Sequence, residues 1–314
     1  MGVSRQNIFG NAPGPQPAEP GTYGEAPAGF RLPDNISLGP VKVQISDLGR
    51  SLEFYENVLG LRVVDRTAHG ATLAPHGHNS ALVELRQLAG AKPAPRRARL
   101  GLYHFAILLP DRPSLGRFIE HLGTTDVAVG SADHLVSEAL YLQDPDNLGI
   151  EVYADRPRSA WRRAGRELMM ATDPLDLRGL VDEAGGSPWT GMPAGTTMGH
   201  VHLHIGDIPA GSAFYSGALG FDKTVWHYPG ALFLGAGGYH HHLGTNTWAG
   251  PDASTAAQNE ARLLEWTIRV PDEATLMAAR ESLDRSSYPA VRDEGSVVTR
   301  DPWETQLRLV TSGA

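Results

Sequence analysis

A long-range internal repeat constrains the fold of this chain more than any other feature. Residues 41–61, VKVQISDLGRSLEFYENVLGL, recur 160 positions later at residues 201–221 as VHLHIGDIPAGSAFYSGALGF. The two copies share an aspartate, a Phe-Tyr pair and a Leu-Gly step, and this spacing indicates duplicated modules. Pro40 precedes the first copy, whereas His200 precedes the second. A potential metal ligand therefore stands in only one copy, and that difference is where we look for function.

Composition and charge limit the class of protein. The chain has 314 residues, of which 41% are hydrophobic and 20% charged, as expected for a globular protein. A net charge of -8, with only a brief Arg-rich stretch near residues 156–166, argues against a nucleic-acid partner. No apolar run approaches the ~18 residues of a membrane helix, and no signal-peptide pattern begins the chain. We therefore expect a cytoplasmic protein that binds a small organic molecule rather than nucleic acid or membrane.

The absence of cysteine limits the possible metal chemistry. With no cysteine in the sequence there are no disulfides and no thiolate ligands. Any metal must therefore be held by histidine and carboxylate side chains.

Hydrophobic periodicity predicts a βαβββ unit. The pattern favours a strand at 41–45, a helix at 48–59 that stops at Gly60, and further strands at 71–73 and 81–85. A second unit starts near Tyr103, a third is the repeat at 201, and a fourth starts near Leu264. The sequence thus predicts an α+β protein of four βαβββ modules.

The modules suggest a domain division. We predict a first domain at residues 35–155 with modules one and two, a connector at 156–196 with a short helix at 175–184, and a second domain at 197–314 with modules three and four. Residues 1–34 are rich in Pro, Gly and Ala, so we predict a mobile tail that the chemistry does not need.

Several motifs resemble the vicinal oxygen chelate superfamily, which includes glyoxalases, bleomycin resistance proteins and extradiol dioxygenases. They are LYHFAILLPDR (102–112), HLVSEALYLQDPD (134–146), IEVYADRPRS (150–159), GHVHLHIGD (199–207) and GYHHHLGTNTWAG (238–250). The resemblance extends over nearly all of residues 38–312 and is greatest to catechol-2,3-dioxygenase-like proteins. It implies that modules pair into barrel-like clefts, with metal ligands on the first and last strand of a module.

The ligand positions favour one pairing of modules. The first-strand positions hold Pro40, His104, His200 and Glu265, and the last-strand positions hold Glu84, Glu151, the run His240–His242 and Arg308. Modules one and two together offer a single histidine, and modules three and four place an arginine where a carboxylate is needed. Modules two and three supply His104, His200 and Glu151, a two-histidine, one-carboxylate set that suits non-haem Fe(II), with Mn(II) as the alternative. We therefore predict a crossed pairing, with modules one and four forming a metal-free barrel.

The resemblance also implies roles for other residues. His241 corresponds to the acid–base histidine, with His242 as the alternative, because alternation along a strand would let only one or two of the three histidines face the cleft. Tyr141 would donate a hydrogen bond to the substrate, and His134 would line the cleft. His242, Asn246 and Trp248 would contact the substrate.

These residues imply an extradiol dioxygenase that opens a catechol-type ring with O2, and we expect it to be a homo-oligomer. Two alternatives remain open at this point. The same site could act on a hydroquinone-type ring or another vicinal-oxygen compound, or the fold could serve as a non-catalytic binding protein in which metal is dispensable.

Overall fold

A computed structural model describes residues 14–312. The chain begins with β1 (Gln16–Pro17) and continues into the first module. That module comprises β2 (Ser37–Ile45), α1 (Leu48–Asn57), β3 (Arg62–Thr67), β4 (Gly70–Ala74) and β5 (Val83–Gln87). The second module comprises β6 (Arg99–Leu108), α2 (Arg112–Leu122), β7 (Gly130–Asp133), β8 (Ser137–Gln143) and β9 (Gly149–Asp155).

The connector and the second half of the chain follow. The connector contains a 3₁₀ turn (Arg158–Ala160), β10 (Arg162–Ala164), β11 (Glu167–Leu168) and α3 (Leu177–Ala184). The third module comprises β12 (Thr197–His204), α4 (Ile208–Ser212), a π-helical segment (Ala213–Ala218), β13 (Asp222–Val225), β14 (Ala231–Gly235), β15 (Leu243–Asn246) and β16 (Ser254–Thr255). The fourth comprises β17 (Arg262–Val270), α5 (Glu273–Arg285), β18 (Ala290–Asp293), β19 (Ser296–Arg300) and β20 (Gln306–Thr311). Four βαβββ modules are confirmed.

The helix of every module begins in the same way. An extended aspartate lies at the N-cap, and its side chain accepts a hydrogen bond from a backbone N–H three residues later. These caps are Asp47, Asp111, Asp207 and Asp272. Each lies seven residues after the ligand position of its first strand, so one local signal fixes where strand ends and helix begins in all four modules.

The modules pair in the predicted crossed order. A nine-stranded sheet has the order β13-β14-β15-β12-β6-β9-β8-β7, with β16 alongside β6, and joins modules three and two. An eight-stranded sheet has the order β18-β19-β20-β17-β2-β5-β4-β3 and joins modules four and one. In both sheets the first strands of two modules meet antiparallel at the centre. The ligand-bearing strands are thereby brought next to one another.

A large apolar core fills the space between the sheets and their helices. Large side chains from every module are fully buried in it, among them Tyr55, Phe105, Phe214 and Trp266. Burial on this scale excludes water from the strands and holds the strand register on which the site depends. None of the helices between residues 14 and 312 is long and apolar enough to cross a membrane.

The N-terminal segment differs from the prediction of a mobile tail. Residues 1–13 lie outside the described part of the chain, but residues 14–34 pack against the protein. β1 pairs antiparallel with β10, the buried Tyr23 hydroxyl donates to the Gly238 carbonyl at 2.5 Å, and Arg31 pairs with both carboxylate oxygens of Asp222 at 2.7 and 2.6 Å. A Pro- and Gly-rich composition cannot build a core alone, yet this segment finds partners on distant parts of the chain.

Candidate active site

The three predicted ligands lie on adjacent strands in the middle of the nine-stranded sheet. His200 is on β12, His104 on β6 and Glu151 on β9. The register places Ala106 of β6 between His200 and Glu151, while His104 lies two residues away on the same face of β6. These residues are far apart in sequence, but they lie close together because the first strands β12 and β6 and the last strand β9 are neighbours in the sheet.

The ligand atoms form a tight triangle. His104 Nε2 lies 2.9 Å from Glu151 Oε2, His200 Nε2 lies 3.1 Å from the same oxygen, and the two Nε2 atoms are 3.3 Å apart. Metal–ligand bonds of about 2.1 Å meeting at right angles separate neighbouring ligand atoms by about 3 Å. The spacing matches one face of an octahedron, so these residues fit a divalent metal and leave the opposite face free.

Burial sets the charge state of the ligands. The side chains of all three are almost inaccessible. Burial lowers the pKa of His104 and His200, which keeps the imidazoles neutral. Burial alone would raise the pKa of Glu151, but the hydrogen bonds from the two histidines outweigh it and hold that pKa well below its usual range. Neutral imidazole and ionised carboxylate are the forms that coordinate a metal.

Ring packing rather than a second hydrogen bond orients His200. Its Nδ1 is buried and has no hydrogen-bond partner among the described residues. The ring lies against His241, with centroids 4.1 Å apart, and against Tyr153 at 5.0 Å. His200 therefore keeps its direction through contacts with neighbouring rings, of which that with His241 is the shortest.

The equivalent positions in the eight-stranded sheet are joined by ion pairs. Lys42 Nζ lies 3.4 Å from Glu265 and 3.5 Å from Glu84, and Arg308 Nε lies 3.0 Å from Glu265. The carboxylates there already have cationic partners. The two sheets thus share the same arrangement of strands, but the nine-stranded sheet has a potential metal site where the eight-stranded sheet has ion pairs.

A cavity of about 290 Å³ opens over the ligand triangle. Its walls combine the ligands with aromatic, imidazole and small side chains from modules two and three and from the connector. They are Tyr103, His104, Gly130, Ser131, Ala132, His134, Tyr141, Glu151, Met170, Ala171, Thr172, His200, His202, Tyr228, Phe233, His241 and Trp248. Of the other predicted site residues, His134, Tyr141, His241 and Trp248 are thus brought together here.

Tyr141 and His134 form one hydrogen-bonded unit in this wall. His134 Nδ1 lies 2.7 Å from the Ala171 carbonyl, which can only accept, so Nδ1 carries a proton. In the neutral ring Nε2 is then an acceptor, and the Tyr141 hydroxyl donates to it at 2.5 Å. Burial and the charge of Glu151 raise the pKa of Tyr141 well above 10, so it remains a phenol.

The histidine run differs from the prediction. His240–His242 lie in the loop before β15 rather than on the strand, and the residue of β15 that corresponds to Glu151 in register is Gly244. Strand alternation therefore does not decide which ring faces the cavity. His241 does face it, whereas His242 lines a separate cleft of about 500 Å³ beside Tyr239 and Arg158. The predicted contact of His242 with the substrate is not supported by this placement.

Asn246 is also displaced from its predicted role. It is fully buried, does not line the cavity, and bridges two histidines of β12. His204 Nδ1 donates to Asn246 Oδ1 at 2.7 Å, and Asn246 Nδ2 donates to His202 Nε2 at 2.9 Å. The backbone N–H of Trp248 also donates to Asn246 Oδ1 at 2.9 Å. Asn246 thus holds His202 and Trp248 in the cavity wall.

Several residues of the cavity wall were not predicted from the sequence. Met170, Ala171 and Thr172 come from the connector, and Thr172 Oγ1 lies 3.0 Å from the Tyr228 hydroxyl. Tyr103 directly precedes a ligand and packs edge-on against Trp248 with ring centroids 5.9 Å apart, so its position beside His104 was the one available hint. The connector had no such hint because its contact with the cavity depends on the docking of β10 and β11.

Comparison with known protein families agrees with the fold and the site. Residues 37–152 match the Glyoxalase/Bleomycin resistance protein/Dioxygenase superfamily. The chain belongs to this superfamily, which is also called the vicinal oxygen chelate superfamily.

Particular relatives agree with that assignment. The chain is 43% identical over 273 residues to a catechol-2,3-dioxygenase of Bacillus subtilis (strain 168), which covers 86% of this chain and 95% of the relative. A crystal structure of a protein from Bacillus subtilis subsp. subtilis strain 168 superposes with a TM-score of 0.63 at 12% identity, covering 91% of this chain and 87% of the other. Glyoxalase I from Zea mays superposes with a TM-score of 0.52 at 19% identity, covering 88% and 93%. At these low identities the two solved structures bear on the fold alone.

Proposed function

We propose that this protein is an extradiol dioxygenase that opens the ring of a small catechol with O2, using Fe(II), with Mn(II) as the alternative metal. The observation that carries the proposal is the His104–Glu151–His200 triangle at the floor of a cavity whose wall also holds His241 and Tyr141. The 43% identity to a catechol-2,3-dioxygenase supports the reaction class.

The donor set determines what a metal would contribute. Two neutral imidazoles and one carboxylate would hold it with a net positive charge, which favours the ionised form of a diol and leaves room for O2 beside it. The remaining steps fall to the residues of the cavity wall.

His241 is placed to receive and return a proton. Burial, followed by the neighbouring imidazoles of His200 and His240, lowers the pKa of His241 well below 6.5. The ring is therefore neutral before substrate arrives and can accept a hydroxyl proton. Because its ring packs against His200, that proton stays beside the reacting atoms and can be returned when the ring opens.

The cavity wall favours a substrate without a charged substituent. The lining residues include no lysine or arginine, and Glu151 is the one carboxylate among them. An anionic substituent buried there would have no cationic partner, which is costly. The volume of about 290 Å³ lies at the small end of ligand pockets and suits a single ring. We therefore propose unsubstituted or alkyl-substituted catechols as the substrate class.

Oxygen uptake with a panel of diols tests this proposal. Protein purified without oxygen and loaded with Fe(II) or Mn(II) is given catechol, 4-methylcatechol, 3,4-dihydroxybenzoate and hydroquinone. We expect one O2 consumed per catechol or 4-methylcatechol, with both oxygen atoms of labelled O2 in the ring-opened product. We expect 3,4-dihydroxybenzoate to be at least about tenfold poorer in kcat/KM than 4-methylcatechol.

Two results would contradict parts of the proposal separately. A loaded protein that consumes no O2 with any catechol would overturn the reaction. Efficient turnover of 3,4-dihydroxybenzoate would overturn the uncharged substrate class while leaving the reaction in place.

A further inference from the structure

Asp155, His240 and His241 are joined in series behind the cavity. His240 Nε2 lies 2.8 Å from Asp155 Oδ1, and His240 Nδ1 lies 2.7 Å from His241 Nδ1. We infer that Asp155 and His240 are a positioning pair that fixes the tautomer of His241, with its proton on Nδ1 and a bare Nε2 left for the cavity. The role of this tautomer in turnover rests on the proposed function, but its existence does not.

The direction of each hydrogen bond follows from the carboxylate end. An ionised carboxylate can only accept, so His240 Nε2 carries the proton of that bond. A neutral His240 then has an unprotonated Nδ1, which can only accept from His241. His241 must therefore carry its own proton on Nδ1, and in the neutral ring Nε2 keeps its lone pair.

The surroundings keep this series in place. His240 is completely buried, and the ring of Trp161 packs edge-on against it with centroids 5.4 Å apart. Asp155 keeps contact with solvent, since 27% of its side chain is exposed. The Tyr239 hydroxyl donates a second hydrogen bond to Asp155 Oδ1 at 3.3 Å. The partly exposed carboxylate of Asp155 therefore orients the buried ring of His240, which in turn orients the ring of His241 in the cavity wall.

The tautomer matters because only one of the two can act as a base. With the proton on Nδ1, the nitrogen remaining to the cavity side accepts a proton from a substrate hydroxyl. With the proton on Nε2, the same ring presents a donor and cannot accept one. The pair would therefore hold His241 ready without touching the substrate itself, as the carboxylate of a Ser-His-Asp triad orients its histidine.

Nitrogen-15 NMR of the metal-free, full-length chain tests the inference without any activity. The histidines are labelled, spectra are taken at pH 8, and the His241 signals are assigned by their loss in His241→Asn. In the unmodified chain we expect His241 to be protonated at Nδ1. In Asp155→Ala and His240→Phe we expect the tautomer ratio to move toward Nε2–H by about 5- to 10-fold, the effect of losing one buried hydrogen bond.

Tyr239→Phe is the matched control. It removes the second donor to Asp155 but keeps the bond between Asp155 and His240, so the tautomer ratio should stay as in the unmodified chain. Asp155 is partly exposed, so its alanine variant remains informative even if the His240 variant does not fold.

Two outcomes would overturn the inference: a proton on Nε2 of His241 in the unmodified chain, or an unchanged tautomer ratio in Asp155→Ala. A kinetic readout then connects the pair to turnover. Asp155→Ala should lower kcat with little change in KM. If the tautomer behaves as expected but no catechol is turned over, the positioning pair is upheld and the proposed function is not.

Discussion

Tyr141 lies directly opposite Glu151 across the antiparallel pair of β8 and β9. The tyrosine therefore shares a cross-strand position with the carboxylate of the metal triangle, and its hydroxyl reaches across the cavity wall to His134. Both residues line the cavity over the ligand triangle. Sheet register, rather than a mobile loop, sets the distance between the two groups.

Replacing Tyr141 with phenylalanine should slow turnover and leave metal binding intact. The change removes only the hydroxyl, which donates to His134 Nε2 in the free protein. We expect this hydroxyl to turn to the developing negative charge once substrate is bound, so its removal should lower kcat roughly 10- to 100-fold. Steady-state kinetics and metal analysis measure the two effects. The control is Tyr215→Phe. It removes a buried hydroxyl of module three that donates to Asp301 of module four, away from the cavity, and it should leave kcat unchanged. An equal fall in kcat in both variants would show that loss of any buried tyrosine hydroxyl slows turnover, and would contradict a specific role of Tyr141.

His241→Asn should separate binding from chemistry. We expect substrate affinity and metal content to persist while kcat falls roughly 10²- to 10⁴-fold, the range for loss of a positioned acid–base group. His242→Asn should have little effect on kcat because His242 lines a different cleft, where its Nδ1 accepts from the Ala236 N–H at 3.3 Å. A large loss in His242→Asn with full activity in His241→Asn would assign the role to the neighbouring histidine.

A variant that lacks residues 1–31 should be less stable than the full chain. It loses the Tyr23 hydrogen bond to Gly238, the Arg31–Asp222 ion pair and the pairing of β1 with β10. We expect the thermal midpoint to fall by roughly 5–10 °C. Activity should fall as well, because Gly238 lies two residues before His240. An unchanged thermal midpoint and an unchanged rate would support the prediction that the segment is a passive tail. Size-exclusion chromatography would show whether the segment also affects association.

The buried carboxyl of Asp144 should make stability depend on pH. Burial raises the pKa of Asp144 to about 7 from 3.8, against hydrogen bonds from the Leu148 and Asp146 N–H groups that lower it. A raised pKa in the folded state stabilises the fold below about pH 4, and this contribution is lost as pH rises through 7. Between pH 4 and pH 8 the stability of Asp144→Asn relative to the unmodified chain should rise by up to roughly 4 kcal/mol. Urea unfolding at both pH values measures it, and parallel pH curves would contradict it.

The sequence predicted the repeated parts of the fold well because each module carries the same local signals. The N-cap aspartates Asp47, Asp111, Asp207 and Asp272 mark the strand-to-helix step in every module, and they locate the first-strand ligand positions. The crossed pairing was predictable because modules two and three alone have a histidine at the first-strand position, and Glu151 adds a last-strand carboxylate. The position of β3 was not predicted because its side chains are largely accessible and polar, without a buried apolar face.

Features that depend on contacts between distant segments were not predictable. Gly244 occupies the position of a last-strand ligand because the ring of His202 fills the space there, and a Cβ at Gly244 would lie 2.8 Å from that ring. The histidine run ends before β15 begins and is in a loop, where strand alternation gives no information about direction. The docking of residues 14–34 depends on partners more than 100 positions away, such as the Arg166 carbonyl of the connector, which accepts from the Gly24 N–H.

Metal content across five alanine variants tests the central claim most directly. Each purified variant is exposed to Fe(II) or Mn(II) without oxygen, freed of excess metal, and analysed for metal per chain, with circular dichroism to check folding. His104→Ala, Glu151→Ala and His200→Ala should each retain almost no metal, because two remaining ligands cannot compete with buffer. Glu84→Ala and Glu265→Ala, which alter the ion-paired positions of the other module pair, should retain about one metal per chain. Metal that is lost with Glu84 or Glu265 but kept without His104, Glu151 or His200 would contradict the site on modules two and three.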